Sequence, residues 1–137
     1  MRIFMELNYL LILSVAAINF ILGAIWHSPQ VFGKIWEEET GTAMMKEGEP
    51  PQLELMVPAF IASYFTALGT AYFIKLSGGT GVMNALIIGC VIAVFFYLTA
   101  HMETALFEKK LKLYWITAGY QALAVIIMSC LLGLWMK

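Results

Sequence analysis

The chain has 137 residues, is 61% hydrophobic and only 12% charged, and carries a formal net charge of −1 at pH 7. Soluble domains are about 45–50% apolar and about 25% charged, and a domain of this size cannot bury such an excess of apolar side chains from water. The composition therefore favours a membrane protein, and the slightly acidic balance gives no electrostatic case for binding nucleic acid.

Four intervals of the sequence contain no Lys, Arg, Asp or Glu: 7–33, 55–74, 76–102 and 113–136. Each holds about 20 or more mostly apolar residues, enough for a helix to cross a hydrocarbon core about 30 Å thick. Helices are expected rather than strands, because backbone groups in lipid must form their hydrogen bonds within the segment. We therefore predict an all-α, polytopic membrane protein, a four-transmembrane-helix bundle, with a single membrane domain over residues 1–137.

The bounds of the predicted helices follow from these intervals and the charges that flank them. They are about 6–27, 54–75, 80–103 and 112–136. A cleaved signal peptide is the alternative for the first helix, but its apolar run is longer than such peptides usually have. The one clearly soluble piece is predicted at about 37–52, where acids outnumber bases and Gly and Pro favour a loop.

One face of the first predicted helix carries polar side chains at membrane depth. The residues at helical spacing on this face are Asn8, Ile12, Val15, Asn19, Gly23 and Trp26. A polar stripe in lipid is expected to face other helices. Two interpretations are open for Asn19: its amide bonds to a neighbouring helix, or it lines a ligand cavity.

A membrane exit follows the first helix. Its residues are Trp26-His27-Ser28-Pro29, then Phe32-Gly33-Lys34, then Trp36. Pro29 lacks the N–H that would continue the helix, and it moves Ser28 away from helical geometry. Aromatic residues suit the membrane interface, and the apolar residues at helical spacing after Pro29 predict a short interfacial helix.

Small residues recur every four positions in the second and third predicted helices. Helix 2 has two such ridges, Ala59-Ser63-Ala67-Ala71 and Ala62-Thr66-Thr70, and helix 3 has a small-residue seam formed by Gly81, Ala85, Gly89 and Ala93. Small residues let helix backbones approach closely, which drives packing where lipid removes the hydrophobic effect. The short turn 75–80 predicts that these two helices are antiparallel neighbours. Cys90 and Cys130 lie in apolar runs without a CxxC partner and are expected to be small buried residues.

Polar residues from several helices are expected to converge near one membrane face, because four passes place the loops after the first and third helices on the same side. The candidate residues are Asn19, Trp26, His27, Tyr97, His101, Glu103, Tyr120 and Gln121. The simplest interpretation is an interfacial polar cap that anchors the helix ends. The alternatives are a ligand or transport vestibule, a metal site formed by His27, His101 and Glu103, and a catalytic His–Glu arrangement.

The metal and catalytic alternatives fit the pattern poorly. A His-x-Glu spacing on one helix points the two side chains in different directions, and neither a nucleophile nor a defined substrate pocket is visible. We therefore predict no metal, no cofactor and no enzymatic activity. Proton-coupled export is also disfavoured, since no carboxylate lies deep within a predicted helix.

A family resemblance rests on the same residues. The segment from Trp26 to Trp36 resembles the signature of the bacterial and fungal membrane proteins grouped as domain of unknown function 1761. Phe107-Glu108-Lys109-Lys110 and then Gly119-Tyr120 resemble the second half of that pattern. The resemblance covers most of the chain and implies a four-helix membrane protein, and it brings no activity, substrate or site.

Two function classes follow. The first is a self-associating structural or interaction module, with the lipid bilayer and further copies of the chain as partners. The second is a small carrier or binding protein for an apolar or lipid-like ligand. A packed interior without a cavity favours the module, whereas a molecule held between the helices favours the carrier. The expected location is a bacterial cytoplasmic membrane, crossed several times, with no nucleic acid as partner.

Overall fold

The computed structural model describes residues 2–42, 53–79 and 81–136, and these residues contain helices and connections but no strand. The helices are α1 (Arg2–Met5), α2 (Tyr9–Trp26), α3 (Gly33–Thr40), α4 (Leu53–Leu76), α5 (Gly81–Ile92), α6 (Met102–Leu106) and α7 (Leu111–Trp135). A π-helical segment, Ala93–Leu98, continues α5 directly. The predicted all-α class is confirmed.

Four of these helical segments are long and apolar enough to cross a membrane: Tyr9–Trp26, Leu53–Leu76, Gly81–Leu98 and Leu111–Trp135. Each lies within a few residues of a predicted helix, because a charged residue at the centre of a membrane helix costs about 2.5–3.5 kcal/mol and so confines the spans to the uncharged intervals. The predicted polytopic four-helix bundle is confirmed in this respect.

The ends of the helices differ from the prediction in three places. The first predicted helix is split, because the Asn8 side chain accepts a hydrogen bond from the Leu11 N–H and starts α2 there. The predicted soluble loop at 37–52 begins later, since α3 continues to Thr40 and its last turn is closed by Gly41 with a φ of 70°. The third predicted helix, expected to reach residue 103, is interrupted at His101, and α6 follows as a separate turn. The rest of the predicted loop, 43–52, lies outside the described residues.

The helix α7 is the centre of the bundle and contacts α2, α4, α5 and the π-helical segment. The largest helix–helix contact joins α5 to α7, and the next joins α2 to α4. The helices α4 and α5, which were predicted to be antiparallel neighbours, also contact each other, but far less than α5 contacts α7. The short turn after α4 fixes where α5 begins, but α5 packs most closely against the helix whose surface matches its own.

That matching surface is the small-residue seam. Ala85, Gly89 and Ala93 are buried, and a Cβ added to Gly89 would lie 2.5 Å from Ser129 Oγ of α7. The seam therefore packs as predicted, but against α7 rather than α4. Cys90 is exposed, contrary to expectation, because the next residue along the helix is turned about 100° from Gly89 and faces outward.

Gly81 differs from the other members of the seam. It opens α5 with a φ of 84°, a left-handed conformation that glycine adopts without steric cost. Its carbonyl oxygen lies 3.1 Å from where a Cβ on Gly133 would be, so the backbones of α5 and α7 also approach closely at this end.

The π-helical segment changes which way the third span points its side chains. In an α-helix, residues four apart drift around the axis because four residues slightly exceed one turn. A π-helix bonds residue i to i+5 and has more residues per turn, so over this segment the drift is reversed. Tyr97 is thereby kept near the stripe that Ala93 occupies, on the side of the bundle interior.

Candidate functional site

The turn after α2 is built around Pro29 and Gly33. The Phe32 N–H donates to the Trp26 carbonyl (3.1 Å) and the Gly33 N–H donates to the Ser28 carbonyl (2.9 Å), so the chain reverses immediately after the helix. Gly33 is buried, and a Cβ there would collide with the backbone of His27 and Ser28. Only glycine lets α3 begin this close to the end of α2.

Five rings gather at this turn and form what we call the aromatic cluster: Trp26, His27, Phe32, Trp36 and Tyr120. The Trp26 ring lies 4.6 Å from Phe32 and 6.0 Å from Tyr120, measured between centroids. The His27 ring contacts Tyr120 (5.3 Å) and Trp36 (6.1 Å) edge to face, a favourable geometry for such pairs. The aromatic residues of the exit segment therefore bind one another and α7.

Two hydrogen bonds connect this turn to the start of α7. Trp26 Nε1 donates to the Ile116 carbonyl (3.1 Å), and Lys110 Nζ donates to the Glu39 carbonyl (2.8 Å). The segments near residues 26–39 and 107–120 are thus neighbours in space. The expectation that the loops after the first and third membrane helices lie on one side is met by these contacts.

A cavity of about 480 Å³ lies between α2, α4, α7 and the π-helical segment, and His27 and Tyr120 of the aromatic cluster form part of its wall. It is lined by Asn19, Phe20, Gly23, Ala24, His27, Ser28, Pro29, Leu55, Met56, Ala59, Ala62, Ser63, Thr66, Tyr97, Tyr120, Gln121, Ala124 and Met128. Most of these side chains are apolar. The volume falls within the range of about 300–1,000 Å³ that is typical of sites for small molecules.

Asn19 joins three helices at the cavity wall. Its Nδ2 donates to Ser63 Oγ (2.7 Å), and Ser63 Oγ donates to the Ala16 carbonyl (2.9 Å). Tyr120 OH donates to the backbone carbonyl of Asn19 (3.1 Å) and lies 3.3 Å from its Oδ1. The amide of Asn19 therefore bonds to a neighbouring helix, as the first interpretation expects, and the residue also lines this cavity.

A second chain of hydrogen bonds spans the side of the cavity between α4 and the π-helical segment. Tyr97 OH donates to Thr66 Oγ1 (3.4 Å), which donates to the Ala62 carbonyl (2.9 Å). The polar side chains on this side of the cavity are thus bonded to each other and to a backbone carbonyl.

His27 and Gln121 also line the cavity, and each has one polar atom bonded to another part of the protein. His27 Nδ1 lies 3.0 Å from the Gly23 carbonyl oxygen, and Gln121 Oε1 lies 2.6 Å from Nε2 of His101. His101 does not line the cavity but holds the amide of a residue that does. Within the part of the chain that the structure describes, each of these two lining side chains therefore has one polar end bonded to the protein and one polar end without a hydrogen bond.

The structure brings together most of the predicted site residues. Asn19, His27, Tyr97, Tyr120 and Gln121 line the cavity, whereas Trp26 and His101 contact lining residues. Glu103 is exposed on α6 and does not join them. The prediction that it belongs to the cluster is wrong because the helix ends at His101, so Glu103 starts a separate turn. Among the described residues, no three His, Cys, Asp or Glu are grouped as a metal site requires.

Sequence reasoning missed the contribution of α4. Ser63 and Thr66 were predicted only as members of small-residue ridges, and Leu55 and Met56 were not singled out. Leu55, Met56 and Ser63 lie three or four positions from Ala59, and Thr66 lies three positions after Ser63, a helical spacing that was visible in the sequence. Nothing in that spacing distinguishes a wall of a cavity from a surface packed against another helix.

Comparison with known proteins gives one match. A family model described as a protein of unknown function (DUF1761) matches residues 10–133. No curated protein matches the chain, and no solved structure matches it.

Proposed function

Because the chain belongs to the DUF1761 family, which is described as of unknown function, its role must be inferred from its own residues, and we propose that it is a membrane-embedded binding protein for a small, mostly apolar, lipid-like molecule. The supporting observation is that polar residues from all four membrane-spanning segments, together with His27 of the turn after α2, line one cavity of about 480 Å³. Helix packing alone does not require a cavity, since interiors are close-packed.

The composition of the cavity wall supports this class of ligand. The apolar lining residues include Phe20, Leu55, Met56 and Met128, and two of them are methionines, whose flexible side chains adapt to irregular apolar molecules. A largely apolar pocket with a few polar groups is the usual form of a small-molecule site. A ligand taken from the bilayer would exchange one apolar environment for another and gain the polar contacts.

The experiment is retention of lipid by the purified full-length protein. The protein is extracted into nanodiscs with native lipid, and bound molecules are identified by native mass spectrometry. Ala62→Phe places a ring where a small, accessible side chain lines the cavity, so we expect it to lower retention several-fold while leaving thermal stability near that of the wild type.

Ala100→Phe is the matched control, since Ala100 is also exposed but does not line the cavity. Equal retention by Ala62→Phe, Ala100→Phe and the wild type would overturn the proposal. Loss of retention in both variants would point to a general effect of an added ring at the surface and would also count against the cavity.

Self-association remains a separate prediction. One of the two small-residue ridges of the second membrane helix would have to be free for contact with another copy. In the ridge of Ala62, Thr66 and Thr70, however, Ala62 and Thr66 line the cavity and Thr70 is buried. That ridge therefore offers no support for an oligomer. Cross-linking in gentle detergent over a wide concentration range tests the prediction directly, and monomer throughout would contradict it.

A further inference from the structure

Resting on the proposed function, we propose that the bound molecule carries a neutral head group that both donates and accepts a hydrogen bond, and that His27 and Gln121 recognise it. A hydroxyl is the smallest group of this kind. Both side chains line the cavity. The His27 ring contacts the ring of Tyr120, and Gln121 is the residue that follows Tyr120 in α7.

Other polar side chains of the cavity wall already have hydrogen-bond partners within the protein. Asn19 donates to Ser63, which donates to the Ala16 carbonyl. Tyr97 donates to Thr66, which donates to the Ala62 carbonyl. Tyr120 directs its hydroxyl proton to Asn19. A head group placed among these residues would compete with bonds that the protein has already formed, which is costly for buried polar groups.

His27 offers an acceptor. The Gly23 carbonyl oxygen can only accept, so His27 Nδ1 must carry the proton of the 3.0 Å hydrogen bond between them. In the neutral imidazole the other nitrogen, Nε2, then has a lone pair and no proton. A hydroxyl of the ligand can donate to it.

Gln121 offers a donor. Its Oε1 accepts from His101 Nε2 at 2.6 Å, so the amide is fixed with its NH₂ group as the end that remains. An amide NH₂ only donates. The two lining residues therefore present one acceptor and one donor, which matches a group that has both functions and not an ether or an alkane.

The head group should be neutral. None of the described residues that line the cavity is Asp, Glu, Lys or Arg. A charged head group would then be taken out of water without a partner charge, and such a charge is very costly in an apolar environment. The apolar wall, which includes Ala59, Ala124 and Met128, suits the tail of the molecule.

The test compares three probes of equal chain length: tetradecanol, its methyl ether and tetradecane. Each is added to nanodiscs that contain the full-length protein in a single phospholipid, and the bound fraction is measured by native mass spectrometry. The alcohol can donate and accept, the ether only accepts, and the alkane does neither. We expect the protein to retain the alcohol about 3- to 10-fold better than the ether, the effect of about one hydrogen bond.

Two variants assign the effect to residues. His27→Phe keeps a ring against Trp36 and Tyr120 but removes the acceptor, and Gln121→Met keeps the side-chain length but removes the donor. His27→Phe should bring the alcohol-to-ether ratio close to one, because only the alcohol can donate to His27. Gln121→Met should keep the ratio but lower the retention of both the alcohol and the ether relative to tetradecane, because both accept from Gln121. Retention of tetradecane itself should be unchanged in both variants. Unchanged alkane retention separates recognition of the head group from damage to the fold. Thr99→Ala is the control, since the Thr99 hydroxyl donates to the Phe95 and Phe96 carbonyls of its own helix, and it should keep the wild-type ratio and the wild-type retention of all three probes.

The outcomes separate the two proposals. If the wild type retains all three probes equally, the head-group inference is overturned and the proposed function stands. If none of the three is retained, both are overturned. A ratio that stays high in His27→Phe would also overturn the inference, because the selectivity would then come from other residues. Alcohol retention that Gln121→Met leaves unchanged relative to tetradecane would overturn it as well.

Discussion

Lys110 Nζ donates a 2.8 Å hydrogen bond to the backbone carbonyl oxygen of Glu39, which is 71 residues earlier in the chain. Glu39 lies in the last turn of α3, and Lys110 is the residue that precedes α7. The last carbonyls of a helix have no partner within it and carry partial negative charge, so an ammonium group is well placed there. This bond fixes the short helix after the first span to the start of the central helix.

We expect Lys110→Met to lower the free energy of unfolding by about 1 kcal/mol, because it removes this charged hydrogen bond but keeps most of the side-chain length. Thermal unfolding in detergent measures the change. Lys112→Met is the control, since Lys112 is exposed on the first turn of α7. The bond has no role in stability if the two variants unfold at the same temperature.

Gly89→Ala and Gly69→Ala should have opposite effects. A Cβ on Gly89 would lie 2.5 Å from Ser129 Oγ and 3.2 Å from the Ile126 Cα, so α5 and α7 would have to separate, at a cost of about 1–3 kcal/mol. A Cβ on Gly69 meets nothing within 4 Å, so the better helix propensity of alanine should stabilise α4 by up to about 1 kcal/mol. Thermal unfolding of both variants checks the signs, and equal stability of the two would mean that the seam is not tightly packed.

Gly23 and Tyr120 should be energetically coupled. A Cβ on Gly23 would lie 2.6 Å from the Tyr120 hydroxyl oxygen, so Gly23→Ala alone should destabilise the protein by about 1 kcal/mol or more. Tyr120→Phe alone loses the hydrogen bonds to Asn19, at a similar cost of about 1 kcal/mol. In the double variant the clash is relieved because the hydroxyl is absent. A double-mutant cycle should therefore give a total loss smaller than the sum by about 1 kcal/mol, whereas strict additivity would argue against this contact.

The orientation in the membrane is predicted from the basic residues. Lys34, Lys46, Lys109, Lys110 and Lys112 belong to the side of the long loops, and Arg2, Lys75 and Lys137 to the other. Basic residues favour the cytoplasmic side, so this bias of five to three predicts long loops in the cytoplasm and both termini outside. A reporter enzyme that works only outside the cytoplasm should be active when it is fused to the carboxyl end. If a reporter that works only in the cytoplasm is active there instead, the assignment is reversed. Lys46 and Lys137 lie outside the described residues.

The sequence by itself determined the spans. A charge at the centre of a membrane helix is so unfavourable that the four uncharged intervals could hold little else, and the helices found there differ from the predicted bounds chiefly where α1 is separate and where His101 interrupts the third. The end of the first membrane helix before Pro29 was equally predictable, since the missing N–H of proline is a local property of the chain. Five of the eight predicted site residues line one cavity because loops on the same side bring their helix ends together.

Only the tertiary structure decided which surfaces meet. A seam of small residues such as Ala85 and Gly89 shows that a helix has a close partner, but every helix of a bundle can be that partner, and the choice of α7 over α4 depends on the fit of both surfaces. The position of the cavity also depends on the tertiary structure, because small residues occur in cavity walls as well as at close helix contacts. The tertiary structure also decides which polar atom of Gln121 is bonded, because its partner His101 lies outside α7. For His27, the bonded atom is fixed by its contact with the Gly23 carbonyl.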